Sequence, residues 1–207
     1  MGRHTGKVAV CAGSATGMGA ETAFRLAQEG AKVVIGDVNI EAAEALVQRI
    51  EAAGGEAFAG GLNIVDEASV GALFESVAGR YGGLDIMHVN AADTRIGSSD
   101  KDAVEVDLAI FDRALAVGLR GHLLCTRAAI PLMLKRGKGA IVYTSSDASK
   151  TAAPAHVSYY VMKAGLNALM RHVATRWGLD RWVNGMPLSE LLGAEFVWQE
   201  GRDYRLP

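Results

Sequence analysis

The sequence predicts an α/β protein in which about six parallel strands form a single doubly wound sheet with helices on both faces. Two observations carry this prediction. Short apolar runs alternate with longer helical patterns along the chain, and a glycine-rich turn follows the first apolar run and opens a helix. Alternating strands and helices give a parallel sheet with right-handed crossovers, and ligands of such sheets bind beyond the carboxyl ends of the strands.

Composition and length indicate one globular domain. The 207 residues are 50% hydrophobic and 21% charged, and the net charge is −2, so no field is expected to attract nucleic acid or an acidic membrane. No apolar run approaches the ~20 residues of a membrane span, and the N-terminus does not read as a signal peptide. Cys11 and Cys125 are predicted to be buried, reduced thiols of a cytoplasmic protein. The histidines show no metal-ligand spacing, so no metal is predicted.

The first predicted strand, residues 7–12, leads into a turn that is typical of nucleotide binding. Glycine allows a tight turn and a close approach to a pyrophosphate, while the N-terminus of the next helix, residues 20–28, supplies N–H groups and the positive end of a dipole. An ordinary glycine turn is the alternative. The residues assigned here to cofactor binding are Gly13, Ser14, Thr16, Gly17, Met18 and Gly19.

Asp37 ends the second predicted strand, residues 32–36. It lies about where an acidic side chain accepts a hydrogen bond from the ribose 2′-OH of NAD, and it would repel the 2′-phosphate of NADP. Residues 38–40 and the glycine turn contain no Arg or Lys. The sequence therefore predicts NAD rather than NADP; the alternative is that Asp37 only caps the next helix.

The middle of the chain continues the alternation. Asn63 follows the third strand, where its side chain could bond an adenine edge, and Asn90 and Ala91 follow the fourth strand. The remaining predicted elements are a helix at 40–53, strands at 56–59 and 84–89, a helix at 69–81 capped by Asp66, a polar loop at 94–106, and a long helix at 107–135, either continuous or broken near 118–121.

The stretch 139–165 combines a strand end with a helix that carries a phenol and an amine. Ser146 closes the fifth strand, residues 140–143, and the helix at 156–177 places Tyr159 and Lys163 at positions i and i+4, on one face. A nearby cation favours phenolate and lowers the pKa of a tyrosine, so that it can exchange a proton with an alcohol or carbonyl oxygen. A solvated Lys beside a half-buried Tyr is the alternative, since this spacing is common on surface helices.

Together these motifs resemble the short-chain dehydrogenase/reductase family over about residues 5–187. The glycine spacing Gly13-x-x-x-Gly17-x-Gly19, the segment LDIMHVNAA with Asn90 and Ala91, and Ser146 thirteen residues before Tyr159 carry the resemblance. It implies a Rossmann-like sheet and an NAD-dependent oxidoreductase acting on a secondary alcohol or ketone. It further implies Tyr159 as general acid/base, Lys163 lowering its pKa and binding the nicotinamide ribose, and Ser146 orienting the substrate oxygen. A homodimer or homotetramer with a small-molecule substrate follows in the same way.

Two departures from the family pattern leave alternatives open. Gly118 stands where the family commonly has an Asn that helps to hold a relay water, and RWVNGMPLS shortens the usual sixth-strand motif that Val183 begins. We therefore divide the chain into a dinucleotide-binding and catalytic domain, 1–187, and a short tail, 188–207. Residues 188–196 of the tail could form a helix, and the family's lid and last strand are expected to be missing or replaced. A catalytically impaired NAD-binding sensor or scaffold, and a nucleotide-binding module without nicotinamide chemistry, are the competing hypotheses.

Overall fold

The computed structural model describes residues 2–181 and 183–187, with side chains through residue 178. The strands are β1 (Val8–Ala12), β2 (Lys32–Asp37), β3 (Glu56–Gly61), β4 (Ile86–Val89), β5 (Gly139–Tyr143) and β6 (Val183–Pro187). The helices are α1 (Gly17–Gln28), α2 (Ile40–Ala52), α3 (Glu67–Tyr81), α4 (Leu108–Leu115), α5 (Gly121–Arg136) and α6 (Val157–Arg181).

All six strands pair in parallel in one sheet with the order β3-β2-β1-β4-β5-β6. The predicted fold class is therefore confirmed. The strand order reverses between β1 and β4, which are neighbours although β2 and β3 separate them along the chain. Such a switch point opens a crevice beyond the carboxyl ends of the strands. The glycine turn after β1 and Asn90 after β4 lie on the two sides of this crevice.

The sheet is covered on both faces because its strands are apolar on both sides. On one face Cys11 and Ile35 pack with the alanine-rich side of α1 and with α2. On the other face Val10 and Met87 pack with residues of α3, α5 and α6. A fully buried side chain of this size contributes about 1.5–3 kcal/mol, so the two cores hold the strand ends at fixed positions.

Several element boundaries differ from the predicted ones. Helix α1 begins at Gly17, so the last two glycines belong to its first turn. The predicted polar loop contains a 3-10 helix, Thr94–Ser99, a short and tightly wound form that is frequent in connecting segments. The predicted long helix is broken at the expected place by a π turn, Ala116–Arg120, between α4 and α5. The tail 188–207 and its predicted helix lie outside the described residues.

Candidate active site

The glycine turn packs directly against the segment that follows β4. Gly13 and Gly17 have φ angles of +68° and +59°, a region that strongly favours glycine. A Cβ atom on Gly13 would overlap the main chain of Ala91, and one on Gly19 would lie 2.6 Å from Ser14 Oγ and 2.8 Å from Asn90 Nδ2. Two of the three glycines are therefore required by close packing as well as, for Gly13, by backbone conformation.

The N-terminus of α1 opens on this turn without a side-chain cap. Thr16 holds the N-cap position but makes no side-chain cap hydrogen bond, and the first turn of α1 contains no acidic residue. Ser14 Oγ is buried and has no hydrogen-bond partner among the described residues. Exposed N–H groups and the positive end of the helix dipole suit an anion, so this turn fits the pyrophosphate of a dinucleotide.

Asp37 lies at the carboxyl end of β2 and braces the glycine turn. Its Oδ2 accepts a hydrogen bond from the Ala15 N–H at 2.9 Å, and its Oδ1 accepts one from the Asn39 N–H at 3.0 Å. The N-cap of α2 is Asn39, whose side chain accepts from the Ala42 N–H. Asp37 is thus not the cap of α2, and its carboxylate keeps lone pairs for a further donor.

Asn63 lies beyond β3, further from the switch point. Its side chain is exposed, and Oδ1 accepts from the Val65 N–H at 3.4 Å. The amide N–H groups of this side chain are the donors with which it could meet an adenine.

A chain of hydrogen bonds joins the glycine turn to the end of β5. Asn90 Nδ2 donates to the Gly13 carbonyl at 2.9 Å, and Thr144 Oγ1 donates to Asn90 Oδ1 at 2.8 Å. Because the Thr144 proton is used in this way, His88 Nε2, 3.0 Å from Thr144 Oγ1, must be the donor to it. Burial lowers the pKa of His88 to about 4, so this histidine is neutral.

Lys163 reaches the same chain from α6. Its side chain is only 3% exposed, and Nζ donates to the Thr144 carbonyl at 2.5 Å. The ammonium lies 5.6 Å from the ring centroid of Tyr159, which is 38% exposed. The structure therefore brings Tyr159, Lys163, Thr144, Asn90 and the glycine turn together at the carboxyl edge of the sheet. We call this group of residues the rim.

The buried ammonium of Lys163 costs stability. Burial lowers its pKa from an ordinary value of 10.5 to about 8, so the ammonium is kept at neutral pH against a desolvation penalty. The unfolded chain binds the proton more tightly, and the penalty is therefore relieved only as the pH rises from about 8 towards 10.5. A buried charge retained at such a cost, in a crevice, is typical of functional sites.

The two serines after β5 have different surroundings. Ser145 is buried, and its Oγ donates to Asn167 Oδ1 at 2.7 Å, while Asn167 Nδ2 donates to Ser149 Oγ at 2.7 Å. Ser146 is half-buried at the head of the 3-10 turn Asp147–Ser149, and its Oγ accepts from the Ala148 N–H at 3.2 Å. Ser145 thus holds the strand end to α6, whereas the O–H of Ser146 donates no recorded hydrogen bond within the described part of the chain.

Sequence reasoning missed the contacts by which Thr144, Asn167, Asp93 and Asp100 hold the segments around this site together. Asp93 is an example. It accepts bonds from Arg95 Nε at 2.8 Å and from Arg113 Nε at 2.9 Å, and these guanidinium groups hold its pKa well below the usual range. This clamp fixes the start of the 3-10 segment to α4. Charged residues in a polar stretch gave no local signal for such a contact.

Within the described ranges, no cluster of three or more His, Cys, Asp or Glu side chains could hold a metal ion. In the same part of the chain, no helix is long and apolar enough to cross a membrane.

The switch-point crevice and the glycine turn define the protein as an α/β protein with a Rossmann-like fold. The chain belongs to the short chain dehydrogenase family, whose model matches residues 7–184.

Its relatives include a probable short-chain type dehydrogenase/reductase of Bradyrhizobium diazoefficiens, 41% identical over 86% of this chain and 63% of that protein. The D-threitol dehydrogenase of Mycolicibacterium smegmatis is 35% identical over 85% of this chain and 66% of that one. A 7α-hydroxysteroid dehydrogenase solved with NADH and 7-oxo glycochenodeoxycholic acid superposes with a TM-score of 0.82 at 32% identity, covering 89% and 71% of the two chains. The chain thus spans about two thirds of the length of these relatives.

Proposed function

We propose that this chain carries the cofactor-binding and catalytic part of an NAD-dependent oxidoreductase that interconverts a secondary alcohol and a ketone. One observation carries the proposal: the Tyr159 ring and the buried ammonium of Lys163 share a face of α6, and Lys163 is hydrogen-bonded into the chain of contacts that ends at the glycine turn. Family membership supports oxidoreductase chemistry. The names of the threitol and hydroxysteroid dehydrogenases among its relatives support a hydroxyl-bearing substrate.

In this proposal three side chains, those of Tyr159, Ser146 and Lys163, act on the substrate oxygen or on the charge that develops beside it. Tyr159 takes the alcohol proton during oxidation and returns it during reduction, as a general base and acid. Ser146 donates its O–H to the same oxygen, and the ammonium of Lys163 stabilises negative charge beside the Tyr159 ring. Bound NAD would supply the hydride acceptor at nicotinamide C4, and this redox chemistry belongs to the cofactor.

A second set of residues, which shares only Lys163 with the first, would bind the cofactor. The pyrophosphate would lie over the turn 13–19, the adenosine ribose at Asp37, the adenine near Asn63, and the nicotinamide half between Asn90, Ala91 and Lys163. The uncapped N-terminus of α1 and the free lone pairs of Asp37 support this placement.

The proposal is tested by mixing the protein with NAD or NADP and a panel of secondary alcohols, and following the absorbance of the reduced cofactor. We expect turnover of at least one alcohol, faster with NAD at equal concentrations. The proposal would be contradicted if calorimetry showed that NAD binds but no alcohol reduced either NAD or NADP.

Replacing Asp37 with Ala is expected to move the preference from NAD towards NADP. The variant loses an acceptor for the 2′-OH and a charge that would repel a 2′-phosphate. Because Asp37 also braces the Ala15 N–H, we expect both affinities to fall, and NADP to lose less. The measurement is the ratio of the two dissociation constants by calorimetry. An unchanged ratio would show that Asp37 only braces the turn.

A catalytically impaired NAD-binding sensor or scaffold is the second candidate. It is favoured by one observation, that Met162 fills the space next to Gly118 where a side chain at that position would lie, so the family's Asn-held relay water would lose its side-chain ligand. Binding of NAD by a protein that oxidises none of the alcohols would support this candidate.

A homodimer or homotetramer is proposed from the outer face of α4, α5 and α6. This face carries an apolar groove of about 420 Å³, lined in part by Leu115, Leu119, Leu123 and Leu169. A cytoplasmic location remains a prediction from the sequence; both cysteines are buried and free in the structure.

A further inference from the structure

The first turn of α6 is capped by a dipeptide that lies far away in the sequence. A helix leaves four N–H groups at its start without intrahelical partners. In α6 these are the N–H groups of residues 156–159, and all four donate to Asp100 and Lys101. His156 donates to the Asp100 carbonyl at 3.0 Å and Val157 to the Lys101 carbonyl at 3.1 Å.

The Asp100 side chain accepts hydrogen bonds from the other two N–H groups, those of Ser158 and Tyr159. Oδ1 accepts from the Ser158 N–H at 3.1 Å and from the Ser158 hydroxyl at 2.7 Å. Oδ2 accepts from the N–H of Tyr159 itself at 3.0 Å. Asp100 is 3% exposed and Ser158 is fully buried, so water does not compete for these bonds. A carboxylate at this end of a helix also interacts favourably with the helix dipole.

The local sequence provides no cap of its own. The residue before α6 is His156, which is exposed and has a φ angle of +68°, a conformation that is uncommon for a residue other than glycine. A strained residue of this kind persists only when its surroundings hold it. Here its N–H is held by Asp100, and its carbonyl accepts from the Tyr160 N–H at 3.1 Å.

Resting on the proposed function, we propose that Asp100 is a positioning residue for Tyr159. The Tyr159 backbone is fixed by Asp100 Oδ2 on the side of the first turn and by the helix on the other. Loss of the carboxylate would free the first turn, and with it the phenol, from its position beside Lys163. A displacement of about 1 Å at a reacting group is enough to cost ~10²-fold in rate.

Asp100→Asn and Ser158→Ala form a matched pair for the test. The Asn side chain has one acceptor oxygen in place of two, so it cannot serve both the Ser158 group and the Tyr159 N–H. Ser158→Ala removes one buried hydrogen bond to the same carboxylate but keeps the bond to Tyr159. Steady-state rates are measured with NAD and an alcohol that the parent oxidises, at a temperature where circular dichroism shows each variant folded.

We expect Asp100→Asn to lower kcat by ~10-fold or more with an unchanged KM for NAD, and Ser158→Ala to keep most of the parental kcat. In a Tyr159→Phe background, Asp100→Asn should lower the residual rate no further, because the two changes act through the same group. If Asp100→Asn does not fold, Asp100→Ser, which keeps one acceptor, replaces it in both measurements with the same expectations.

The positioning role would be overturned if the two single variants lost kcat equally. It would also be overturned if Asp100→Asn lowered the rate as much in the Tyr159→Phe background as in the parent. If the parent oxidises an alcohol, neither result would affect the proposed function. A parent that oxidises no alcohol would instead overturn the proposed function, and the positioning role with it.

Discussion

Tyr159→Phe is expected to abolish most turnover while leaving the affinity for NAD unchanged. The substitution removes only the phenolic oxygen, and general acid/base catalysis by a positioned side chain contributes about 10²–10⁴-fold. The Phe ring keeps the packing against Lys163, whose Nζ lies 5.6 Å from the centroid of the Tyr159 ring. The measurements are kcat with NAD and an accepted alcohol, and NAD binding by calorimetry.

Tyr160→Phe is the matched control. Tyr160 is the next residue of α6, but it lines a different groove together with Val157 and Val161. Removing its hydroxyl should leave kcat close to that of the parent. A Tyr159→Phe protein that reduces NAD as fast as the parent would show that the proton is handled elsewhere.

The fold was predictable because its signals are local and repeat along the chain. Each central strand, such as Val8–Ala12, is a short apolar run, and most of the helices between the strands begin near a glycine or a capping residue, as α1, α2 and α3 do. The boundaries were harder to predict where tertiary contacts decide how the chain winds. The 3-10 helix at Thr94–Ser99 and the π turn at Ala116–Arg120 depend on tertiary packing rather than on hydrophobic period.

Some residues of the candidate site could also be predicted from the sequence, and others could not. The glycine turn and the Tyr159–Lys163 pair could be found because their spacing is short and has a stated physical meaning. Thr144 and Asp100 could not, because their contacts join residues distant in sequence; Asp100 lies 58 residues before its partner Ser158. One indirect signal was present. The helix that carries Tyr159 starts after His156, without Ser, Thr, Asp or Asn at the cap, which indicates that its N–H groups must be satisfied from elsewhere.

At Gly118, where the family commonly has an Asn, the structure shows that more than a side chain is missing. It lies in the π turn between α4 and α5, and a Cβ atom at this position would overlap the sulfur of Met162 and lie 2.7 Å from its Cγ. Met162 is buried and directly precedes Lys163. The space that an Asn side chain would need at residue 118 is therefore occupied by a thioether from the helix of the proposed catalytic residues.

Gly118→Ala is accordingly expected to destabilise the protein by about 1–3 kcal/mol, the usual cost of overpacking a core. The sign of the change in the free energy of unfolding is informative, because Gly→Ala inside a helix ordinarily stabilises a protein by about 1 kcal/mol. Gly79→Ala provides the control: Gly79 lies in α3, and apart from its chain neighbours and the backbone of its own helix, no atom of the described residues lies within 4 Å of its added Cβ. Urea unfolding of the two variants should give free-energy changes of opposite sign.

The double variant Gly118→Ala/Met162→Ala separates overpacking from other causes. Met162→Ala alone should cost about 2–5 kcal/mol through the cavity that it leaves, but part of that space would be filled by the new methyl group. The double variant should therefore be more stable than the sum of the single effects predicts, by an amount in the range of ~0.5–3 kcal/mol that neighbouring residues show. Strict additivity would mean that the effect of Gly118→Ala does not act through Met162, and that packing against this methionine does not enforce the loss of the family's Asn.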